Sequence, residues 1–201
     1  LLQQTRGLDF FERYDRPRDA IRMLFSTGDM AAYPAGLPLA HKPGTVFSYS
    51  SGNSNILSHI IRKTVGENEY HSFPQQELFH KINAYSFIIE SDAAGNFIGS
   101  SYGYATARDY ARFGLLYYYN GVWNGEQILP ENWVKETIQP ATADPQKRYG
   151  YQFWLNGLSA NDSTRRIYPD APADMFYADG FGGQNIFIIP SRKLIVIRLG
   201  V

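Results

Sequence analysis

Two short stretches hold residue types whose spacing could support chemistry. Tyr49-Ser50-Ser51 stands immediately before the clearest helical pattern in the chain. A phenol at a helix amino terminus feels the positive end of the helix dipole, which favours the phenolate and would make Tyr49 a usable general base near neutral pH. Asp179-Gly180-Phe181-Gly182-Gly183-Gln184 lies between two strand-like runs, where glycines let a ligand approach the backbone and leave amide hydrogens free for a developing oxyanion. On residue types alone each has a plainer reading: an aromatic residue packed before a capped helix, and a turn or bulge joining two strands. His41, His59, His71 and His80 show no metal-ligand spacing, and no Gly-x-Ser-x-Gly elbow, phosphate loop or dinucleotide fingerprint is present. No metal and no cofactor is expected.

The elements that must position these residues change character along the chain. Arg18 to Phe25 places Ile21, Leu24 and Phe25 on one helical face, and prolines at 34, 38 and 43 then interrupt regular structure. Ser51 to Val65 carries an apolar stripe of Ile56, Leu57, Ile60 and Ile61, with Ser50 or Ser51 as cap and Gly66 as stop. Glu69 to Ile82 reads as helical on both sides of Pro74, and Ser86 to Ser101 as a hairpin around Ala94-Gly95-Asn96. Thr106 and Asp109 have the spacing of a capping box for a helix running to about Tyr119, and Pro130 marks the start of a short helix over Glu131 to Ile138. Beyond Asp144 the period becomes strand-like, at Tyr149 to Leu155, Met175 to Ala178, Gln184 to Ile189 and Lys193 to Leu199, the last two joined through Pro190-Ser191-Arg192. Ser159 to Asp170 reads as a loop. The expected class is α+β: a mainly helical lobe over residues 1–144 bearing the Tyr-Ser-Ser motif, and an antiparallel sheet over 145–201. The start at Leu1-Leu2 and the apolar run Leu194 to Leu199 at the other end suggest a chain cut at both ends, because a strand that apolar belongs inside a sheet.

Composition narrows the partners. Lysine plus arginine and aspartate plus glutamate each number 19 among 201 residues, so there is no basic surplus to attract nucleic acid or an anionic membrane. No apolar stretch is long enough to span a bilayer. The absence of cysteine excludes disulfides, thiolate zinc sites and a cysteine nucleophile. Oligomeric state is not encoded in any pattern we recognise.

Taken in order, the pieces resemble the penicillin-recognising serine hydrolases, the group of class C β-lactamases, DD-peptidases and 6-aminohexanoate-dimer hydrolases. Leu1-Leu2-Gln3-Gln4-Thr5-Arg6-Gly7-Leu8 is similar to the family's leucine-leucine-x-x-threonine-serine-glycine-leucine stretch, with Arg6 at the serine place. Pro43-Gly44-Thr45 through Ser51 resembles the segment leading into the tyrosine-x-asparagine motif, with Ser51 at the asparagine place as in the 6-aminohexanoate-dimer hydrolase branch. Ala105 to Gly114, then Trp123-Asn124-Gly125 and Ile128-Leu129-Pro130, follow the family's order, and Gly180 to Pro190 resembles its lysine-threonine-glycine strand.

The resemblance implies a β-lactamase/transpeptidase-like fold and a serine attacking a carbonyl to form an acyl-enzyme, with a lysine three residues after the serine and Tyr49 sharing proton transfer. It implies Ser51 in contact with substrate and an oxyanion donor within Tyr177, Ala178, Asp179 and Gly180. Substrates would be small amides, esters or peptides. The alternative on the same fold is a non-catalytic peptide- or peptidoglycan-binding protein. Many relatives work in the cell envelope, which favours that location. No serine or threonine here is followed three positions later by lysine, so the nucleophile is expected upstream of Leu1, and the 201 residues alone are expected to be inactive. The missing lysine-threonine-glycine argues against a specialised β-lactamase. Tyr49 and the backbone near Gly180 are expected to share one pocket.

Overall fold

A computed structural model describes residues 1–200. The chain forms two compact units, one made of Leu1–Phe73 with Ile88–Tyr104, the other of Pro74–Phe87 with Ala105–Val201.

The first unit carries helices α1 (Asp19–Ser26), α2 (Ala32–Ala35), α3 (Ser51–Val65) and α4 (Glu67–Tyr70), with a two-stranded hairpin of β1 (Ile88–Ile89) and β2 (Gly103–Tyr104). Its apolar core is built from Leu8, Phe10, Met23, Leu24, Met30, Ile56 and Ile98. Two of the expected helical faces are corrected. In α1 the buried residues are Ala20, Met23 and Leu24, while Phe25 is 69% exposed. In α3 the buried face is Ser51, Gly52, Asn53, Asn55, Ile56 and Ser58, and Ile60 and Ile61 are exposed. A polar face is buried there because its neighbours are polar too: Asn55 Nδ2 donates to Ser100 Oγ (3.1 Å), and Ser58 Oγ meets Tyr70 Oη (2.9 Å) and the Phe97 carbonyl (2.7 Å). Asp92 holds the turn after β1, accepting from the amides of Met30, Ala94 and Asn96.

The second unit opens with a π-helical turn at Gln75–Phe79 and continues through α5 (Ala107–Tyr118), a small hairpin of β3 (Val122–Trp123) and β4 (Glu126–Gln127), and α6 (Trp133–Thr137). Thr106 caps α5 as its spacing suggests, Oγ1 accepting from the Asp109 amide, while the Asp109 carboxylate is drawn away to the Ser86 amide and hydroxyl. Pro130 precedes α6 rather than starting it; its carbonyl accepts from Trp133 N in a preceding turn. The main sheet follows: β5 (Trp154–Leu155), β6 (Phe176–Gly180), β7 (Gln184–Ile189) and β8 (Leu194–Arg198), antiparallel in the order β5-β6-β7-β8. The strand expected over Tyr149 to Leu155 shrinks to β5, with only an isolated bridge between Tyr149 and Trp154. Gly114 lets α5 settle on β7 and β8, since a Cβ there would come within 3.0 Å of Ile195 and 3.3 Å of Ile186. Phe113, Tyr117, Phe153, Phe176 and Ile188 fill the layer between helix and sheet. Ser159 to Asp170 is a loop apart from one isolated bridge, pinned by Asn156, whose Nδ2 donates to the carbonyls of Tyr168, Ala171 and Pro172.

Candidate functional site

The turn that presents Tyr49 is assembled from both sides. Gly44, at φ +84, makes the reversal that brings Gly44 N to the Thr5 carbonyl (2.7 Å), and Ser48 N donates to the Gln4 carbonyl (2.9 Å). Gln4 itself adopts a left-handed conformation (φ +57) that turns its side chain inward, where it is fully buried. There Oε1 accepts from Ser50 N (3.2 Å) and Asn53 Nδ2 (2.7 Å). Tyr49 is therefore held, half-buried, one residue before the N-cap of a 15-residue helix.

The cap differs from the expected one. Ser50 has the extended backbone of an N-cap, but its hydroxyl is buried without a hydrogen-bond partner. The capping oxygen instead comes from Glu12, remote in sequence: Oε2 accepts from Ser51 N (2.8 Å) and Oε1 from Ser51 Oγ (2.6 Å). A carboxylate there both satisfies an orphan amide and complements the helix dipole. Tyr14 Oη also donates to Glu12 Oε1 (2.5 Å) and lies 3.3 Å from Ser51 Oγ. Partial burial, and after it the hydrogen bond to Glu12, hold the Tyr14 phenol well above its ordinary range. Tyr14 is a neutral donor in this cluster.

In the second unit, β6 runs out of the core toward its tip. Phe176 and Tyr177 are buried, Ala178 is half-buried, and Asp179 and Gly180 are exposed. The Tyr177 ring packs against Tyr168 and Phe187, and burial, with the neighbouring Tyr168 and Asp179, drives its phenol up. Tyr177 thus offers a site its backbone rather than a titrating side chain. Asp179 Oδ1 accepts from Asn185 Nδ2 (2.8 Å) across the register pair. The glycine run meets the needs of the hairpin: Gly182 (φ +73) and Gly183 (φ +80) are left-handed, Gly183 N donates to the Gly180 carbonyl, and Arg198 Nη1 donates to the Gly183 carbonyl (2.6 Å).

Tyr49 and Ser51 thus fall together in the first unit, and Tyr177, Ala178, Asp179 and Gly180 together in the second. Gln4, Glu12 and Tyr14 were not singled out by sequence reasoning, because the bonds that tie each of them to the Tyr49 turn and the start of α3 reach 37 or more residues along the chain. His59 packs with its Nδ1 3.0 Å from Asn96 Oδ1. Among the described residues no cluster of histidine and carboxylate groups could hold a metal ion, and no helix is long and apolar enough to cross a membrane.

A unit that leads a Tyr-Ser-Ser turn into a helix, and an antiparallel sheet backed by a helix, are components of the β-lactamase/transpeptidase-like α+β fold. The family model described as Beta-lactamase matches residues 1–199, and the chain belongs to that family. Among solved structures it is similar to a Bacillus anthracis protein named as a putative 6-aminohexanoate-dimer hydrolase (TM-score 0.75, 22% identity, 98% of this chain and 53% of that one). It is also similar to a penicillin-binding protein homologue from Caulobacter crescentus (0.68, 17%, 98% and 63%) and a β-lactamase from Mycobacterium bovis (0.65, 14%, 98% and 62%). The chain spans between about half and two thirds of the length of these structures.

Proposed function

We propose that the protein is a serine hydrolase acting on small amides, esters or peptides through an acyl-enzyme, with weak or no β-lactam turnover. Tyr49 shares proton transfer with a lysine that follows the nucleophilic serine by three residues, both supplied by sequence preceding Leu1. Ser51 contacts the substrate, and the backbone within Tyr177 to Gly180 supplies an oxyanion donor. The observation that carries this reading is the placement of Tyr49 at the mouth of α3, with its helix anchored from below by Gln4 and capped by Glu12. A general base needs such a fixed position more than it needs any single neighbour.

A fluorophosphonate probe tests it. The protein expressed from its complete reading frame becomes covalently labelled on serine, and the 201-residue chain alone does not. Labelling of the 201 residues alone would overturn the assignment of the nucleophile. A complete protein that stays unlabelled would favour a non-catalytic peptide-binding role.

A further inference from the structure

We propose that a cleft beside α1 binds small organic acids, the carboxylate meeting the guanidiniums of Arg18 and Arg22 while an apolar body rests on Phe11 and Leu37. Binding there needs no nucleophile, so the site goes beyond the acyl-enzyme reading and does not depend on it.

The cleft encloses about 400 Å³ and lies wholly within the first unit, with Phe11, Leu37 and Pro38 among its apolar walls. That volume suits a small molecule. The carboxylates of this segment are engaged elsewhere. Asp19, which also lines the cleft, accepts from Phe11 N at Oδ2 (3.0 Å) and from Tyr33 Oη at Oδ1 (2.7 Å). Asp15 is taken by Arg13 through two bonds of 3.1 and 2.9 Å, and meets Arg16 of the cleft only at 3.8 Å. Among the described residues neither Arg18 nor Arg22 forms an ion pair. Arg18 lies over the Phe11 ring, its Cζ 5.2 Å from the ring centre, which covers one face of the guanidinium and leaves its in-plane N–H donors uncommitted. Arg22 follows four residues later on the same side of α1, beside the Tyr33 hydroxyl whose proton goes to Asp19. Two guanidiniums without a carboxylate, one of them flat on an aromatic ring, form a fork for a planar anion. Phe11 and Leu37 add apolar area that an inorganic ion cannot use. Asp9, exposed in the same cleft, opposes a second negative charge, so a monocarboxylate fits better than a phosphate. The chain runs from Phe11 directly into Glu12, the cap of α3, so the cleft and the Tyr49 turn share one segment.

Isothermal titration calorimetry of the protein from its complete reading frame, at low ionic strength, tests the site with three probes: phenylacetate, its neutral analogue phenylacetamide, and inorganic phosphate. Phenylacetate should bind with a dissociation constant of about 1 mM or below, and the other two at least about tenfold more weakly. Arg18→Gln and Arg22→Gln each weaken phenylacetate by about tenfold, the scale of a charge-assisted hydrogen bond. Arg192→Gln, which removes the same charge from an exposed position in the second unit, leaves the constant within about twofold. Arg18 and Arg22 are both exposed, so their variants keep the fold, which circular dichroism checks. If Arg18→Gln loosens α1 through the lost contact with Phe11, Arg22→Gln decides alone. Equal binding of phenylacetate and phenylacetamide, or an unmoved constant in the folded Arg22→Gln protein, rejects the carboxylate site. Phosphate binding as tightly as phenylacetate rejects the apolar floor and with it the ligand class. No binding of phenylacetate at about 10 mM overturns the proposal outright. Fluorophosphonate labelling reports on the nucleophile alone, so either reading can fail without the other.

Discussion

Gln4 shows how much of the Tyr49 turn depends on single buried side chains. Its carbonyl and its Oε1 together receive Ser48 N, Ser50 N and Asn53 Nδ2, on both sides of Tyr49. Its Nε2 is buried without a partner, as are Asn53 Oδ1 and Ser50 Oγ, so the cluster is already polar and incompletely satisfied. Replacing Gln4 by alanine leaves two more donors unpaired and opens a cavity beneath α3. We expect a loss of about 2–4 kcal/mol, read as a fall in thermal midpoint of several degrees by circular dichroism. None of this was legible in the sequence. Gln4 is one of two adjacent glutamines at the unspecified places of the Leu1 to Leu8 stretch, and Glu12 and Tyr14 belong to no motif that the sequence offers. Tyr49 and Ser51 could be singled out because a motif carries them; the residues that hold them could not.

At the scale of elements, legibility followed the strength of local signals. Gln184 to Ile189 matches the expected bounds, since its run of β-branched and aromatic side chains from Ile186 to Ile189 ends at Pro190. The ends of α3 and the Thr106 cap of α5 were also where the sequence placed them. What failed was the facing of helices. Ile60 and Ile61 of α3 and Phe25 of α1 belong to apolar stripes but face outward, because a hydrogen-bonding neighbourhood took the polar side of α3 and Met23 took the core position on α1. The glycines of the β6–β7 hairpin are explained by turn geometry. Gly183→Ala would hold a side chain at φ +80 and drive its Cβ into the Arg198 guanidinium, displacing the bond to the Gly183 carbonyl. We expect about 1–3 kcal/mol of destabilisation, visible in the urea midpoint, together with loss of hydrogen-exchange protection at the β6–β7 and β7–β8 amides.

For the whole molecule, burial of phenols makes stability depend on pH in the alkaline range. Burial holds Tyr14, Tyr117 and Tyr177 above the ordinary tyrosine value, reinforced in Tyr14 by Glu12 and in Tyr177 by Tyr168 and Asp179. The folded protein keeps these protons after the unfolded chain, titrating near about pH 10, has lost them. The unfolded state then binds fewer protons, so the stabilisation is fully present below about pH 10 and is lost as pH rises through the folded-state values. Urea midpoints should fall above that pH, and tyrosinate absorbance should stop short of the full fifteen residues until the chain unfolds. The order of local patterns, read alone, gave the resemblance to the family that the family model then showed, and the α+β class, because helix caps, strand periods and motif spacing are short-range properties written in contiguous residues. The tertiary structure decided which carboxylate caps α3, which way the Ser51 proton points and which helical faces are buried, because each is a choice among partners that only folding brings within hydrogen-bond reach.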